Sequence, residues 1–217
     1  MLKEPVAICV AGLSLDDLPA IAALHAAAFP NSALTKLGAG AVERYYRWLL
    51  TGPHEAASLG VWKDGRLAGF CFGGIFCGAL SGFVGTNRWY LIARVLKHPW
   101  LVMNPIFRER LKAGLKGLKR HWKPKRRTPT PPGTPEKPRS FCILSIATDP
   151  AVQRGGLGRR LMIESEVIAR QRGFASMDLS VHTDNAKAIP FYESLGWRRE
   201  MENGVWKGVM RKSLAES

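Results

Sequence analysis

The feature that most constrains the fold is a glycine-rich turn between an apolar run and a helix-like stretch. The apolar run covers residues 141–147, the turn reads Gln153-Arg154-Gly155-Gly156-Leu157-Gly158, and helical spacing continues over residues 159–172. Glycines let a backbone approach a ligand closely, and the first N–H groups of a helix bind anions. This strand–turn–helix order predicts a phosphate cradle, although a surface turn that only caps a helix has the same composition.

A second motif follows further along the chain. It reads Asn-Ala-Lys-Ala-Ile-Pro-Phe-Tyr-Glu-Ser-Leu-Gly-Trp over residues 185–197, after a strand-like run at 177–182. Asn185 is a residue type that begins helices, and Gly196 suits the left-handed position that ends one. Asn185 and Tyr192 are seven residues apart, so they share one helix face. Taken alone, a short amphipathic helix with a buried tyrosine explains this pattern equally well.

In order and spacing, the two motifs resemble those of the GNAT acyltransferases. The phosphate loop of that family reads Gln/Arg-x-x-Gly-x-Gly/Ala, which is matched here by Gln153, Gly156 and Gly158. Its later helix reads Asn-x-x-Ala-x-x-x-Tyr-x-x-x-Gly-Phe, which is matched by Asn185, Ala188, Tyr192, Gly196 and Trp197. The resemblance is strongest over residues 141–210. Within that family, the segment Ile146-Ala147-Thr148-Asp149-Pro150 most resembles the corresponding motif of the ribosomal-protein-alanine acetyltransferases.

The resemblance implies an α/β (α+β) fold in which helices flank a mixed, mostly antiparallel sheet. The residues predict a matching order, β-α-α-β-β-β-α-β-α-β-β, which begins with a strand at 5–11. Ser14 is the predicted cap of the first helix, and a polar break at 30–32 precedes the second. Asp64-Gly65 and Asn203-Gly204 each predict the turn of a hairpin.

A long insert, residues 78–139, separates the third strand from the fourth within what we predict is a single domain spanning 1–217. The chain carries a net charge of +15, and residues 85–139 hold 15 Lys/Arg against 2 Asp/Glu. Asn104-Pro105 predicts a helix start. One apolar stripe follows it, formed by Phe107, Leu111, Leu115, Leu118 and Trp122. Residues 124–138, with six prolines, are predicted to be an extended linker.

The resemblance also implies acetyl-CoA as the donor and a primary amine as the acceptor. The pyrophosphate is expected at the N–H groups of the loop, formed by Gln153, Arg154, Gly155, Gly156, Leu157, Gly158 and Arg159. An N–H group at the end of the preceding strand, from Ile146, Ala147 or Thr148, is expected to bind the thioester oxygen. Asn185 is expected to hold the pantetheine arm, and Tyr192 to protonate the departing thiolate.

The motifs do not specify the general base. The ribosomal-protein-alanine acetyltransferases carry a Glu five residues before the motif's Asn, where this chain has Ser180. Asp178, Ser180 and His182 share one face of their strand, and imidazole titrates near neutral pH. His182 is therefore the candidate base. A strand-end histidine without a catalytic role fits equally well, and His25, His54 and a water chain are further alternatives.

The acceptor stays open, with three candidate functions. The favoured acceptor is a small molecule or an amino sugar of a surface glycan, with residues 88–123 resting on anionic lipid. The alternatives are a protein amine, and a nucleic-acid-binding module on a GNAT scaffold. The nucleic-acid module is less favoured because the chain has no readout element. The apolar stripe of the insert is also explained if it packs on its own domain or on a second subunit. The oligomeric state stays open.

Targeting signals and cysteines bear on the compartment. No signal peptide is evident, and no uncharged apolar run reaches the roughly 18–20 residues of a membrane span. The cysteines, at positions 9, 71, 77 and 142, have no metal-ligand spacing. These observations predict a cytoplasmic protein with buried free thiols and no metal. In the lipid hypothesis it is peripheral to the inner face of the membrane.

Overall fold

The computed structural model describes residues 8–97 and 139–214. The described chain forms two units, one built from residues 8–13, 54–75 and 139–214, and the other from 14–53 and 76–97. Several predictions lie outside the described residues. They are the start of the first strand, the helix at Asn104-Pro105, the apolar stripe and the linker at 124–138.

A seven-stranded sheet forms the frame of the first unit. Its strands are β1 Ile8–Gly12, β2 Glu55–Lys63, β3 Arg66–Ile75, β4 Ser140–Thr148, β5 Ser176–Ser180, β6 Arg198–Glu202 and β7 Val205–Ser213. They lie in the order β1-β2-β3-β4-β5-β7-β6. Neighbouring strands are antiparallel except for the parallel pair β4–β5. The predicted mixed, mostly antiparallel sheet is therefore confirmed.

Both predicted hairpin turns are present. Asp64 and Gly65 have φ values of 51° and 73°, and Asn203 and Gly204 have 52° and 77°. Positive φ at both central residues is the geometry of a type I′ turn, which matches the twist of the flanking strands. The pairing of β2 with β3 accordingly begins at Lys63 and Arg66, directly beside the turn.

The second unit is helical. Its elements are α1 Leu18–Ala28, α2 Ala33–Lys36, α3 Ala39–Thr51, α4 Ala79–Thr86 and α5 Arg88–Lys97. The first part of the predicted insert is thus two short helices. None of the helices in the described ranges is long and apolar enough to cross a bilayer.

One local prediction in this unit was wrong. Ser14 does not cap α1, because its N–H and hydroxyl both donate to the Asp17 carboxylate at 2.8 and 2.9 Å. The helix begins only after Asp17. The predicted polar break at residues 30–32 is present between α1 and α2. Its last residue, Ser32, is a helix cap, because the Ser32 hydroxyl accepts the Thr35 N–H at 3.0 Å.

A buried polar network connects α1 with its neighbours. The His25 ring lies 2.9 Å from the Tyr46 hydroxyl through Nδ1 and 3.1 Å from the Ser32 hydroxyl through Nε2. His25 is only 7% exposed, and its burial lowers its pKa to about 4. Because both ring nitrogens have partners inside the helical unit, His25 serves packing and is a poor candidate for a base.

Two further helices, α6 Leu157–Gln171 and α7 Ala188–Glu193, belong to the first unit. The buried face of α6 consists of Leu157, Leu161, Met162, Ser165 and Ala169. Apart from the adjacent Leu161 and Met162, they are three to four residues apart, and they form one helical stripe, which packs on β2 to β5. Tyr192 of α7 belongs to the same hydrophobic core, together with Trp197.

The four cysteines are all free thiols. Cys71 is fully buried and Cys142 is half-buried, and burial raises the pKa of both thiols to about 12. Cys9 and Cys77 are exposed, so the prediction of buried thiols was right for two cysteines and wrong for two. At neutral pH the two buried thiols are protonated and unreactive.

Candidate active site

β4 separates from β5 halfway along its length. β3 pairs with β4 as far as Thr148, whereas the pairs between β4 and β5 end at Ile143 and Leu179. At the same point the register with β3 shifts, so that Leu144 has no residue opposite it. Such a bulge bends its strand. Among the described strands, the second half of β4 therefore pairs with β3 alone.

Strand alternation determines which N–H groups face this gap. The Asp149 N–H donates to the Ala68 carbonyl at 2.9 Å, so it points toward β3. In an antiparallel ladder, every second residue points its N–H to the same side. Ala147 therefore faces β3, while Ile146 and Thr148 face the side that β5 has left. Of the three predicted donors to a thioester oxygen, only Ile146 and Thr148 have this direction.

The glycine-rich loop follows directly. Asp149 begins a 3-10 turn, Pro150–Val152, by accepting the Ala151 N–H at 2.8 Å. Arg154 and Gly156 both have positive φ, 71° and 75°. The first main-chain donor of α6 is Arg160, which donates to the Gly156 carbonyl at 3.0 Å.

The start of α6 carries unpaired donors. Within the described ranges, the N–H groups of Leu157, Gly158 and Arg159 have no protein acceptor. Unpaired N–H groups and the positive end of the helix dipole form a site for an anion. The exposed side chains of Arg154, Arg159 and Arg160 add positive charge around it.

The loop is open on one side and packed on the other. A Cβ added to Gly156 meets no atom within 4 Å. A Cβ on Gly158 lies 3.5 Å from the Phe191 ring and 3.8 Å from the Thr148 methyl group. The open part at Gly156 leaves the backbone accessible to a ligand, while Gly158 is where loop, strand end and α7 meet.

Tyr192 projects from α7 into the core, and only 9% of its surface is exposed. Its ring centroid lies 5.2 Å from that of Phe191 and 6.2 Å from that of Trp197. Burial, and then the Cys71 sulfur, raises the pKa of Tyr192 to about 12. The phenol is therefore protonated at neutral pH. Its hydroxyl has no hydrogen-bond partner in the described part of the chain.

His182 and Asn185 lie in one turn. β5 ends at Ser180, two residues before the predicted end, and the His182 carbonyl then accepts the Asn185 N–H at 3.0 Å. The Asn185 side-chain oxygen accepts the Ala188 N–H at 3.0 Å, but α7 begins only at Ala188 and its N-cap is Lys187, so Asn185 lies before the cap position and not at it as predicted. The side chains of His182 and Asn185 are exposed.

The parallel pairing of β4 and β5 brings these pieces to one edge of the sheet. Parallel strands run in the same direction, so the loop after Thr148 and the turn after Ser180 both lie at the end of the sheet where β4 and β5 finish. Within the described ranges, no group of three or more His, Cys, Asp or Glu residues is arranged to hold a metal ion.

Sequence reasoning missed two residues of this region, Asp149 and Phe191. Asp149 shapes the start of the loop, and the Asp-Pro pair was a readable turn signal. Phe191 contacts the loop from α7. No local pattern identifies that contact, because it joins three elements that are distant in the chain.

The comparisons with known proteins agree with this geometry. The profile described as Acetyltransferase (GNAT) family matches residues 18–197. The [Ribosomal protein bS18]-alanine N-acetyltransferase of Escherichia coli (strain K12) is 46% identical over 55 residues, which cover 25% of this chain and 37% of that protein. A mycothiol acetyltransferase of Kocuria rhizophila is 34% identical over 79 residues, covering 36% of this chain and 24% of that protein. The chain therefore matches well under half the length of these relatives.

Solved structures share the whole fold at low sequence identity. The ribosomal-protein-S18-alanine N-acetyltransferase from Escherichia coli has a TM-score of 0.56 at 18% identity, over 97% of this chain and 96% of that one. The PaiA N-acetyltransferase from Thermoplasma acidophilum, in complex with coenzyme A, has a TM-score of 0.56 at 14% identity, over 95% and 99%. Since the profile match spans most of the sequence and the fold agrees, this chain belongs to the acetyltransferase (GNAT) family.

Proposed function

We propose that this protein transfers the acetyl group of acetyl-CoA to a primary amine by direct attack. The observation that supports this most is the gap between β4 and β5 directly before the phosphate loop. Ile146 and Thr148 direct N–H groups into that gap, and residues 157–159 direct theirs to the loop surface. One continuous segment thus provides donors for a thioester oxygen and for a pyrophosphate. The coenzyme A bound to PaiA supports the choice of donor.

In the proposed reaction, the nitrogen of a neutral amine attacks the thioester carbonyl carbon and the carbon–sulfur bond breaks. The N–H groups of Ile146 and Thr148 bind the oxygen as it becomes negative. Tyr192 donates a hydrogen bond to the leaving sulfur as negative charge develops on it, and coenzyme A departs as the thiolate, which takes its proton from solvent. The amine loses one proton, and His182 is the candidate acceptor, either directly or through water. Asn185 holds the pantetheine arm.

The favoured acceptor is the amine of a small molecule or of an amino sugar. Ser180 stands where the ribosomal-protein-alanine acetyltransferases carry a carboxylate, and it is exposed at the end of β5. A hydroxyl is far less basic than a carboxylate, so this position does not serve as a base. The name of the second relative, a mycothiol acetyltransferase, keeps small-molecule acceptors within the range of similar proteins. A protein amine is the alternative.

The donor is tested at Gly156. In Gly156→Val, a branched side chain occupies the open surface where the backbone approaches phosphate, so calorimetry should show a large loss of acetyl-CoA affinity. Gly173→Val is the matched control, because Gly173 also has positive φ, 74°, and also opens to free space. Both variants place a β-branched residue at a positive φ. Equal affinities in the two variants would remove the phosphate site from this loop.

The acceptor is tested by thiol release from acetyl-CoA with a panel of amines. The panel contains amino sugars, small diamines, and peptides that begin with alanine. Faster release with amino sugars or small amines supports the proposal. A clear preference for the alanine peptides assigns a protein acceptor instead, and no release with any amine contradicts the transferase function.

A second candidate function is attachment of α5 to an anionic lipid surface. Trp89, Ile92 and Leu96 lie on one helical face and are 71%, 48% and 75% exposed. On the other side, Tyr90, Leu91 and Val95 pack on Leu37 and Ala41. Residues 79–97 contain Arg and Lys but no Asp or Glu. An exposed aromatic and aliphatic face with basic neighbours fits an anionic membrane interface better than it fits simple phosphate binding.

Vesicle sedimentation tests this surface. The protein should bind anionic vesicles, ignore neutral ones and dissociate in high salt. Trp89→Ser with Leu96→Ser should weaken binding, whereas Ile163→Ser with Val167→Ser, on the exposed face of α6, should not. If the protein binds DNA or RNA with a steep salt dependence and does not bind vesicles, the basic segment is a nucleic-acid-binding surface instead.

A further inference from the structure

We infer that Phe191 is a positioning residue that couples the phosphate loop to Tyr192. The inference rests on the proposed function, because it deepens the role given there to Tyr192. Phe191 precedes Tyr192 in α7, and their ring centroids are 5.2 Å apart. The far end of the Phe191 ring is the atom nearest to a Cβ placed on Gly158, at 3.5 Å. The same side chain therefore contacts both the anion-binding loop and the phenol.

The contact at Gly158 joins three elements. Its Cβ direction points between the Phe191 ring and the Thr148 methyl group, at 3.5 and 3.8 Å. Thr148 ends β4 and directs its N–H into the gap beside β5. Movement of the ring away from Gly158 thus changes the distance between the proposed acid on α7 and the oxygen-binding N–H groups on β4.

A hydrogen-bonded contact supports the same arrangement. Arg159, in the first turn of α6, donates to the Ser194 hydroxyl at 3.5 Å, and that hydroxyl donates to the Phe191 carbonyl at 2.7 Å. At the C-terminal end of α7, Glu193 pairs with Arg199 at 2.9 Å. The start of α6 therefore contacts α7 through both the backbone and the ring of Phe191.

Misplacing a reacting group by about 1 Å costs up to roughly a hundredfold in rate. We therefore expect Phe191→Ala to lower kcat roughly ten- to a hundredfold, with the acetyl-CoA Kd changed less than about threefold. Phe191→Leu, which fills much of the space, should restore most of kcat. Phe191→Tyr is not a suitable variant, because the added hydroxyl would extend from the ring atom that already lies against Gly158. Rates are compared at a temperature where every variant is folded.

Leu195→Ala is the matched control. Leu195, which follows α7, is partly buried against the same core as Phe191, but of the two only Phe191 lies against Gly158. Equal losses of kcat in Leu195→Ala and Phe191→Ala would reduce Phe191 to general packing and overturn the inference.

A double-mutant cycle separates this inference from the proposed function. If Phe191 acts through Tyr192, then Phe191→Ala should have little further effect on kcat in a Tyr192→Phe background. If Tyr192→Phe lowers kcat and Phe191→Ala lowers it again by its full factor, the coupling fails while the acid role stands. If Tyr192→Phe alone is fully active, both the acid role and the coupling are wrong.

Discussion

Tyr192 has an environment that disfavours its phenolate. Its pKa of about 12 is well above the ordinary value near 8.5 of a thiol. A phenol this weakly acidic does not transfer its proton completely to a thiolate at equilibrium. In the proposed reaction it stabilises the leaving sulfur by donating a hydrogen bond as negative charge develops. We therefore place its contribution at the low end of the range for general acids.

Tyr192→Phe should lower kcat about a hundredfold, because the hydrogen bond to sulfur is lost while the ring still fills its place in the core. The free energy of unfolding should change little, since the hydroxyl has no partner in the described part of the chain. Stopped-flow thiol release measures the rate, and urea unfolding measures the stability. An unchanged rate would show that Tyr192 only packs.

His182→Ala should remove the acidic limb of the profile of kcat/KM against pH, if this imidazole accepts the amine proton. Asp184→Asn is the control, because Asp184 is an exposed titratable group in the same turn and should leave the profile intact. Survival of the limb in the alanine variant assigns the base to water or to another group.

The glycine-rich turn at the start of α6 could be predicted from sequence because its conformation is local. The Gly156 conformation and the unpaired N–H groups after it follow from a short run of neighbouring residues. The choice of Ile146 and Thr148 over Ala147 could not be predicted, because it depends on which side β3 occupies. Phe191 was missed for the same reason, since its contact with Gly158 requires the tertiary fold.

At the scale of elements, the helical unit depends on a neutral histidine. The folded-state pKa of His25, about 4, lies below its ordinary value of 6.5. The unfolded chain therefore binds more protons between these two pH values, and stability is lost as pH falls from 6.5 toward 4. The total loss is on the order of 3 kcal/mol, since each pKa unit corresponds to about 1.4 kcal/mol.

His25→Gln should remove this contribution. Urea unfolding at pH 8 and pH 5 should show that the wild type loses about 2 kcal/mol more than the variant between the two conditions. The variant is less stable at pH 8, because Tyr46 and Ser32 lose their buried partner. Equal losses in the two proteins would contradict the buried, neutral state of His25.

Turns that are set by residues adjacent in the sequence were predicted well. The two hairpins are correct at their turns because Asp-Gly and Asn-Gly favour the positive φ that the turn needs. Ser14 and Ser32 show the limit of such signals. Both are residues that cap helices, yet the side chain of Asp17 takes both donors of Ser14, whereas Ser32 does cap α2. Sequence alone does not rank these competing hydrogen bonds.

At the scale of the whole molecule, the number and direction of the strands could be predicted, but their order could not be derived from periodicity. β7 lies between β5 and β6, and no residue pattern indicates this insertion. The prediction of the sheet came through the resemblance of two short motifs to a family. The profile match over residues 18–197 confirms that resemblance.

Because β4 separates from β5, the backbone N–H groups on one side of its second half are unpaired, as they are in an edge strand. In hydrogen exchange followed by NMR, the amides of Ile146 and Thr148 should exchange faster than that of Ala147, which faces β3. Acetyl-CoA should slow those two amides selectively. Uniform protection of all three would contradict the directions assigned to them.

An unpaired strand edge also invites another polypeptide to add to it. In this chain the unpaired edge belongs to β4, an interior strand. Proteins protect the outer edges of their sheets from such addition with charged residues and short strands, and neither device covers this edge. A ligand that covers it would act as a solubility factor as well as a substrate. Protein purified and concentrated with acetyl-CoA should self-associate less than protein handled without it, in proportion to the occupancy of the gap.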